Sequence, residues 1–188
     1  ALAVVREDQP GDKRLVVYAT GKATGGELLA FAASATPAGS KPCAGADVKL
    51  TVTGPAGHAS EQQPATATIR AVNTSGHSCT LTGYPGVQLA DDQGKSSPID
   101  AVRHDSGPIT PVTLAPGAQA TADLLYSDLN GQGSASARYV CAVAGSKVSI
   151  ILPNTTQQVQ VPVTGGVDKG VLSVCGDLNV DAFTSGRS

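Results

Sequence analysis

Residues 65–72 read Ala-Thr-Ala-Thr-Ile-Arg-Ala-Val, and this stretch decides the fold class. Thr66 and Thr68 alternate with apolar side chains, which is the pattern of a β-strand that buries one face and exposes the other. The same alternation of apolar and polar residues recurs at residues 48–52. No helical period is found after Cys43, so we expect this part of the chain to consist of strands.

Further short strands, separated by turns, are predicted on the C-terminal side of this stretch. They cover residues 87–89, 118–126, 148–152, 159–163 and 178–182. Turn signals stand between them, as in Asp91-Asp92-Gln93-Gly94 and Leu114-Ala115-Pro116-Gly117. Pro162 inside a strand predicts an edge position or a bulge. About eight or nine strands at roughly 8–12-residue spacing indicate an immunoglobulin-like antiparallel β-sandwich.

Composition restricts both the core and the partners of this domain. Aromatic residues are 3% of the chain and tryptophan is absent, so the core must be aliphatic and the Cys–Trp–Cys core of true immunoglobulin domains is missing. The net charge is −2, and no basic stripe is present to bind nucleic acid. No apolar run approaches the roughly 18–20 residues that span a bilayer. We expect a monomer without a cofactor, whose partner is an extracellular protein or a cell-wall ligand.

Residues 1–42 differ in character from the rest of the chain. Their net charge is +1 (five basic, four acidic), against −3 (eight basic, eleven acidic) for residues 43–188. Residues 15–18 are predicted to form a strand and residues 27–34 a short helix, so the beginning of the chain is an α+β appendage. The predicted organisation is an appendage, a linker rich in Pro, Gly, Ser and Ala, and the β-sandwich, at residues 1–35, 36–42 and 43–188.

The four cysteines are dispersed, with no C-x-x-C pair, and are interpreted as two disulfides in an oxidising compartment rather than a zinc site or free buried thiols. They are Cys43, Cys79, Cys141 and Cys175. Cys43 precedes one predicted strand and Cys79 follows the next, so an antiparallel pair of strands brings both to one end of the sheet. The same reasoning on the later strands favours Cys141–Cys175. The nested pairing, Cys43–Cys175 with Cys79–Cys141, is the main alternative.

No catalytic, metal-binding or cofactor-binding residue is predicted. His58, His77 and His104 are flanked by turn residues at no close metal-ligand spacing, and we interpret them as separate loop histidines; a metal site assembled from all three is the alternative hypothesis. Gly76-His77-Ser78-Cys79 lacks the G-x-S-x-G pattern of a hydrolase nucleophile. Asp91-Asp92 is interpreted as a solvated turn rather than a calcium site, because no acidic ligands follow at alternate positions.

One turn is a candidate for binding because it carries an aromatic ring. If the ring of Tyr84 is exposed, it offers a large rigid contact face; the alternative is that it packs over the end of the sandwich. The predicted binding loop consists of Gly83, Tyr84, Pro85, Gly86 and Val87.

The order of several motifs resembles a known family. Asn73-Thr74-Ser75-Gly76, Cys79-Thr80-Leu81-Thr82-Gly83-Tyr84-Pro85-Gly86-Val87, Leu114-Ala115-Pro116-Gly117 and a final Cys175 follow one another after His58. This order closely resembles the actinobacterial family called domain of unknown function 4232, over residues 43–183. The resemblance implies an exported protein or lipoprotein of high-GC Gram-positive bacteria, with no established activity. Ser40-Lys41-Pro42 before Cys43 is not a lipobox, so lipidation of Cys43 is not expected.

The beginning of the chain resembles a different family. Residues 3–18, Ala-Val-Val-Arg-Glu-Asp-Gln-Pro-Gly-Asp-Lys-Arg-Leu-Val-Val-Tyr, look like the C-terminal subdomain of a nonribosomal peptide synthetase adenylation domain. Over residues 1–35 this resemblance implies a β-hairpin followed by a helix. The family's nucleotide-binding core and its Asn-Gly-Lys motif are missing, so Lys13 is given no catalytic role. A degenerate export signal at residues 13–35 is the alternative.

We therefore expect a non-catalytic, extracytoplasmic binding or interaction module of the bacterial cell envelope. It is secreted or held at the cell surface if a signal sequence lies upstream. The alternative is an inactive remnant or mis-joined fragment of an AMP-binding adenylation enzyme, with residues 1–35 as its trace.

Overall fold

The computed structural model describes the backbone of residues 2–6 and 15–19, and residues 40–131, 135 and 138–186. The chain divides into two compact units, Ala1–Ser40 and Lys41–Ser188. The named elements of the described residues are all β-strands. In chain order they are β1 (Leu2–Arg6), β2 (Leu15–Ala19), β3 (Val48–Thr53), β4 (Ala65–Asn73), β5 (Cys79–Leu81), β6 (Gly86–Leu89), β7 (Ile99–Asp100), β8 (Val102–Arg103), β9 (Val112–Leu114), β10 (Gln119–Tyr126), β11 (Val143–Gly145), β12 (Lys147–Ile151), β13 (Gln158–Thr164), β14 (Leu172–Val174), β15 (Leu178–Val180) and β16 (Thr184–Ser185).

The first unit contains an antiparallel pair of strands, β1 and β2, with Leu2 opposite Ala19. The strand predicted at residues 15–18 is thereby confirmed. The helix predicted at residues 27–34 and the linker residues 36–39 lie outside the described residues.

In the second unit, ten strands form one continuous sheet in the order β7-β6-β12-β13-β3-β4-β10-β15-β8, with β16 also paired to β10. Its longest ladder joins β4 to β10, from Ala65 opposite Tyr126 to Val72 opposite Gln119. The alternation at residues 65–72 sets the two faces of β4, because every second residue of this strand is buried. The prediction of an all-β domain is confirmed for the described residues of this unit.

A single apolar core lies against distant parts of this sheet. Val87 of β6 and Ile150 of β12 belong to the same buried cluster as Ile69 of β4 and Leu124 of β10. A flat sheet could not bring these strands to one core, so the sheet curves over it. The core is mainly aliphatic, as predicted, and each fully buried Leu or Ile contributes roughly 1.5–3 kcal/mol.

The prediction of a purely antiparallel domain was wrong at two places. β13 pairs with β3 in parallel, Val163 opposite Val52, and β15 pairs with β8 in parallel. The first pairing joins two antiparallel groups of strands, β6-β12-β13 and β3-β4-β10-β15. Their neighbouring strands, β13 and β3, run in the same direction. Pro162 lies in β13, which pairs with β12 on one side and with β3 on the other, so the edge position predicted for it is not found. Pro162 itself is opposite Lys147 of β12.

The disulfides join Cys43 to Cys79 and Cys141 to Cys175, the pairs that strand order favoured. For the first pair the reasoning holds, since β3 and β4 are antiparallel. For the second pair the strands responsible are β11 and β14, with Val143 opposite Val174. These three-residue strands are not among those predicted from the sequence. The loops closed by the two bonds, 36 and 34 residues long, are worth about 3–4 kcal/mol each in the chain-entropy model.

Candidate functional site

The predicted binding loop, Gly83–Val87, is a fixed turn that leads into β6. Gly83 has a φ of 95°, which favours glycine because a side chain there would clash with the backbone. The amide of Phe183 donates a hydrogen bond of 2.9 Å to the carbonyl oxygen of Gly83. Gly83 and Pro85 are buried, while Tyr84 is half-buried and Gly86 is exposed. The loop is therefore anchored, and part of the Tyr84 ring faces solvent.

The Tyr84 ring is covered in part by a cation. The guanidinium carbon of Arg103 lies 5.7 Å from the ring centroid, a distance at which a cation–π contact is worth about 0.5–1 kcal/mol at an exposed site. The preceding residue, Val102, is 59% exposed. The Tyr84 side chain is therefore neither fully exposed nor fully buried, the two arrangements that the sequence suggested.

A shallow groove of 260 Å³ begins at the same loop. Gly86 and Val87 line it together with four polar side chains, those of Gln88, Asp100, Ser149 and Gln158. The Gln88 side-chain amide donates a hydrogen bond of 2.8 Å to Asp100. Amide, carboxylate and hydroxyl groups thus face the solvent beside the Tyr84 turn.

The three histidines do not form a common site. His77 lies 3.5 Å from Asp47, and His104 lies 2.8 Å from Asp181. Among the described residues, the group able to hold a metal contains His58 and neither of the other two. The hypothesis of a three-histidine metal site was therefore wrong, because each imidazole lies against a different aspartate from a distant part of the chain.

Asp91 and Asp92 stabilise a turn through backbone amides. Asp91 accepts hydrogen bonds from the amides of Lys95 and Ala144, and Asp92 accepts one from Ser146. The Lys95 amide contributes most to holding the pKa of the Asp91 carboxyl below its ordinary value of 3.8. These carboxylates hold the segment after β6 against β11 and β12, which is a structural role.

Three loops bring together a group of residues that are far apart in the chain. His58 lies between β3 and β4, Asp128 is the second residue after β10, and Asp168 lies in the turn between β13 and β14. One ligand atom from each of these residues lies within 4.8 Å of the others. We call His58, Asp128 and Asp168 the His–Asp–Asp cluster.

Asp128 is the buried member of the cluster, with no exposed surface. Its Oδ1 accepts a hydrogen bond of 2.8 Å from the amide of Ala59, and its Oδ2 lies 2.6 Å from His58 Nδ1. The Cys141–Cys175 disulfide supports the backbone here. Cys141 Sγ lies 3.6 Å from the carbonyl oxygen of Asp128, and the amide of Cys175 donates to the carbonyl oxygen of Ser127.

Two tyrosines border the cluster. The Tyr139 ring stacks on the His58 imidazole, with the centroids 4.0 Å apart and the planes at 23°. Tyr126 is 2% exposed, and its hydroxyl has no hydrogen-bond partner among the described residues. Such an unpaired buried group costs about 1–3 kcal/mol. Burial raises the pKa of the Tyr126 hydroxyl well above its ordinary value of 10.0, and the nearby charges of Asp128 and Asp168 raise it further.

Only one member of this cluster carried a signal in the sequence. His58 was noticed as a loop histidine, whereas Asp128 and Asp168 stand alone after strands and follow no ligand spacing. The apolar alternation within β10 is a signal for the burial of Tyr126. Asp128, two residues after the end of this strand, carries no such signal.

A family model described as "Domain of unknown function (DUF4232)" matches residues 43–184. The chain belongs to this family. The DUF4232 region includes both disulfides, the Tyr84 loop and the His–Asp–Asp cluster. Nothing in the comparisons supports the synthetase resemblance of residues 1–35.

Comparisons with other proteins add little to the family assignment. No curated protein matches the chain. One similar solved structure is a beta-D-glucoside glucohydrolase from Trichoderma reesei, with 18% identity and a TM-score of 0.28. That likeness covers 62% of this chain and 18% of the glucohydrolase, and at such a TM-score it informs neither fold nor activity. Within the described residues, no helix is long and apolar enough to cross a membrane.

Proposed function

We propose that this DUF4232 domain is a non-catalytic binding module of the bacterial cell envelope that works outside the cytoplasm. Its contact surface is the Gly83–Val87 loop with the adjoining groove. The observation that carries the proposal is the partly buried Tyr84, held on an anchored turn with Arg103 over its ring. A rigid, partly exposed aromatic ring is a typical binding contact because little side-chain entropy is lost when a ligand covers it.

The cysteines support a location outside the cytoplasm. All four are oxidised in pairs, and both Cys43 and Cys79 are fully buried. Disulfides of this kind persist in secreted proteins and are rare where glutathione and thioredoxin keep thiols reduced. An exported actinobacterial protein, as the family resemblance implies, agrees with this chemistry.

The functional groups of the domain support binding rather than catalysis. No cysteine is free to provide a thiolate. In the part of the chain that the structure describes, the histidine rings contact aspartates and a tyrosine ring, and no serine or threonine hydroxyl is hydrogen-bonded to them. A Ser–His arrangement of the hydrolase kind would need such a bond. We therefore propose that the domain is not an enzyme.

The groove indicates how a ligand would be held. Its polar groups, the amides of Gln88 and Gln158, the Ser149 hydroxyl and the Asp100 carboxylate, both donate and accept hydrogen bonds. A cell-wall ligand or an envelope protein that presents amides or hydroxyls would match them, with Tyr84 supplying apolar contact area. We propose further that the curved sheet is an immunoglobulin-like sandwich, whose turns present this surface at one end.

The experiment places a photo-crosslinking amino acid at position 84 or at position 49 of the exported protein in its native host. Lys49 is an exposed residue of β3, far along the chain from the loop, and is the matched control. We expect a cross-linked partner or cell-wall adduct from position 84 and none from position 49. Equal labelling from both positions, or from neither, would overturn the proposed contact surface.

A second candidate function rests on the paired strands β1 and β2. An antiparallel hairpin at this position agrees with the subdomain that the synthetase resemblance implies. If the chain were an adenylation enzyme, it would catalyse exchange of pyrophosphate into ATP in the presence of amino acids. We expect no exchange, because the nucleotide-binding core and the Asn-Gly-Lys motif of that family are missing. Exchange above the level of a heat-inactivated sample would revive this candidate.

A further inference from the structure

The His–Asp–Asp cluster has the donor set of a divalent metal site. One imidazole and two carboxylates converge from three loops, with their ligand atoms within 4.8 Å of one another. In the described part of the chain, neither carboxylate forms an ion pair with a lysine or arginine. Among the described residues, the group paired with these carboxylates that can carry a positive charge is the His58 imidazole, when it is protonated. Two neighbouring carboxylates, one of them fully buried, repel strongly away from water, and a dication balances them more fully than one imidazolium does.

Asp128 is already oriented as a metal ligand would be. The Ala59 amide holds Oδ1, which fixes the carboxylate plane and leaves Oδ2 directed at His58 Nδ1. Ligands in metal sites are commonly held in this way by a second hydrogen bond to the backbone. The Tyr139 ring stacked on His58 restricts rotation of the imidazole as well.

Tyr126 supplies an independent indication of a ligand. Its hydroxyl is buried and without a hydrogen-bond partner among the described residues, and Tyr126 ends β10 two residues before Asp128. Buried polar groups in native proteins nearly always have a partner, so an unpaired one next to this cluster indicates that a ligand binds here. A water bound to a metal in the cluster would provide that partner.

We propose that His58, Asp128 and Asp168 bind one divalent transition-metal ion, best matched by Zn²⁺, with a bound water that hydrogen-bonds to the Tyr126 hydroxyl. A mixed set of imidazole nitrogen and carboxylate oxygen suits Zn²⁺, whereas Ca²⁺ requires six to eight oxygen ligands. The dication neutralises the two carboxylates. Its structural effect is to join three loops more firmly. The β3–β4 loop otherwise contacts Asp128 through the Ala59 amide and the His58 ring, and the amide of Val167 donates to the carbonyl oxygen of Pro55.

Binding requires a small movement of His58. Zinc–ligand distances of roughly 2.0–2.2 Å place neighbouring ligand atoms about 3 Å apart or more. The 2.6 Å separation of His58 Nδ1 from Asp128 Oδ2 must therefore open slightly as the ion replaces the proton between them. The imidazole then keeps its single proton on Nε2. His58 follows the exposed Gly57, where a Cβ would meet no atom within 4 Å, so the loop has room for this shift.

The test is isothermal titration of the metal-stripped, full-length protein with zinc chloride. We compare wild type with His58→Gln and Asp168→Asn, chosen because neither residue is fully buried. The matched control is His104→Gln, which removes a histidine from a second His–Asp pair of nearly the same geometry, His104 with Asp181 at 2.8 Å. We expect one ion per chain in wild type and in His104→Gln, and at least about a tenfold loss of affinity in the two cluster variants.

Further measurements keep the proposal falsifiable. Saturating Zn²⁺ should raise the melting temperature of wild type and not that of Asp168→Asn, while calcium chloride should do neither. Tyr126→Phe should bind Zn²⁺ several-fold more weakly, because it loses the bond to the bound water. Absence of zinc binding, equal weakening by His104→Gln, or full affinity in Asp168→Asn would overturn the site. Unchanged affinity in Tyr126→Phe would overturn the role of the bound water.

Discussion

His58 Nδ1 lies 2.6 Å from Asp128 Oδ2, although the two residues are 70 positions apart in the chain. Asp128 is fully buried and also accepts the amide of Ala59, so one carboxylate ties the β3–β4 loop to the end of β10. The other His–Asp pairs, such as His104 with Asp181, lie nearer the surface. Because Asp128 is more deeply buried than Asp181, we expect its removal to lower the free energy of unfolding more.

Asp128→Ala should destabilise the domain by about 2–4 kcal/mol, because it leaves the Ala59 amide and the His58 ring without their acceptor. Urea unfolding of the metal-free protein, followed by circular dichroism, measures this change. The control is Asp181→Asn, for which we expect less than about 1 kcal/mol because exposed pairs contribute little. Equal losses in the two variants would contradict a special role for the buried carboxylate.

Tyr126→Phe should leave the metal-free domain at least as stable as wild type near neutral pH, since it removes an unpaired buried hydroxyl. The pKa of this hydroxyl is raised by burial, so the folded state keeps it neutral while the unfolded chain ionises near the ordinary value of 10.0. Raising the pH above about 10 therefore lowers the stability of the fold, because the unfolded chain loses this proton while the folded state keeps it. Unfolding free energies at neutral pH and above pH 10 measure the effect, which should be smaller in the variant. A variant that is as alkali-sensitive as wild type would contradict this assignment.

Asn73→Ala should cost about 2–4 kcal/mol. Asn73 is 1% exposed, and its side-chain amide donates to the carbonyl oxygens of His77 and Leu114, 2.8 and 2.9 Å away. Thermal or urea unfolding measures the loss. The control is Asn154→Gly, at an exposed position with a φ of 61°, where glycine is tolerated and little change is expected. A loss below about 1 kcal/mol for Asn73→Ala would show that its two hydrogen bonds are replaced by water.

The two disulfides should differ in what they support. Removing either pair, Cys43 with Cys79 or Cys141 with Cys175, by double substitution with alanine should cost about 3–4 kcal/mol. Loss of the second pair should in addition weaken Zn²⁺ binding, because that bond supports the backbone at Ser127 and Asp128. Titration of both double variants under conditions where they remain folded separates the effects. Equal zinc affinity in the two would contradict the link between this disulfide and the cluster.

The local features of the fold could be predicted because they depend on neighbouring residues. The alternation at residues 65–72 specifies which face of β4 is buried, and the order of the early strands places Cys43 near Cys79. The parallel seam between β13 and β3 could not be predicted, because local pattern carries no information on which distant edges meet. The three-residue strands β11 and β14 are too short to give a periodic signal, although they set the second disulfide.

The candidate sites divide in the same way. The Tyr84 turn could be predicted from the sequence because glycines and a proline, which favour turns, flank the aromatic residue. The His–Asp–Asp cluster could not be predicted, because Asp128 and Asp168 come from two turns that meet only when the sheet curves over its core. The burial of Tyr126 likewise depends on that curvature as well as on the alternation within β10.

The most direct test of the central claim, a disulfide-stabilised binding module outside the cytoplasm, is the redox state of the native protein in each cell fraction. Cells are fractionated with thiols trapped by a maleimide reagent, and the mass of the unreduced protein is measured. We expect protein in the envelope or culture medium with none of its four cysteines labelled. Protein in the cytoplasm with labelled cysteines would contradict it.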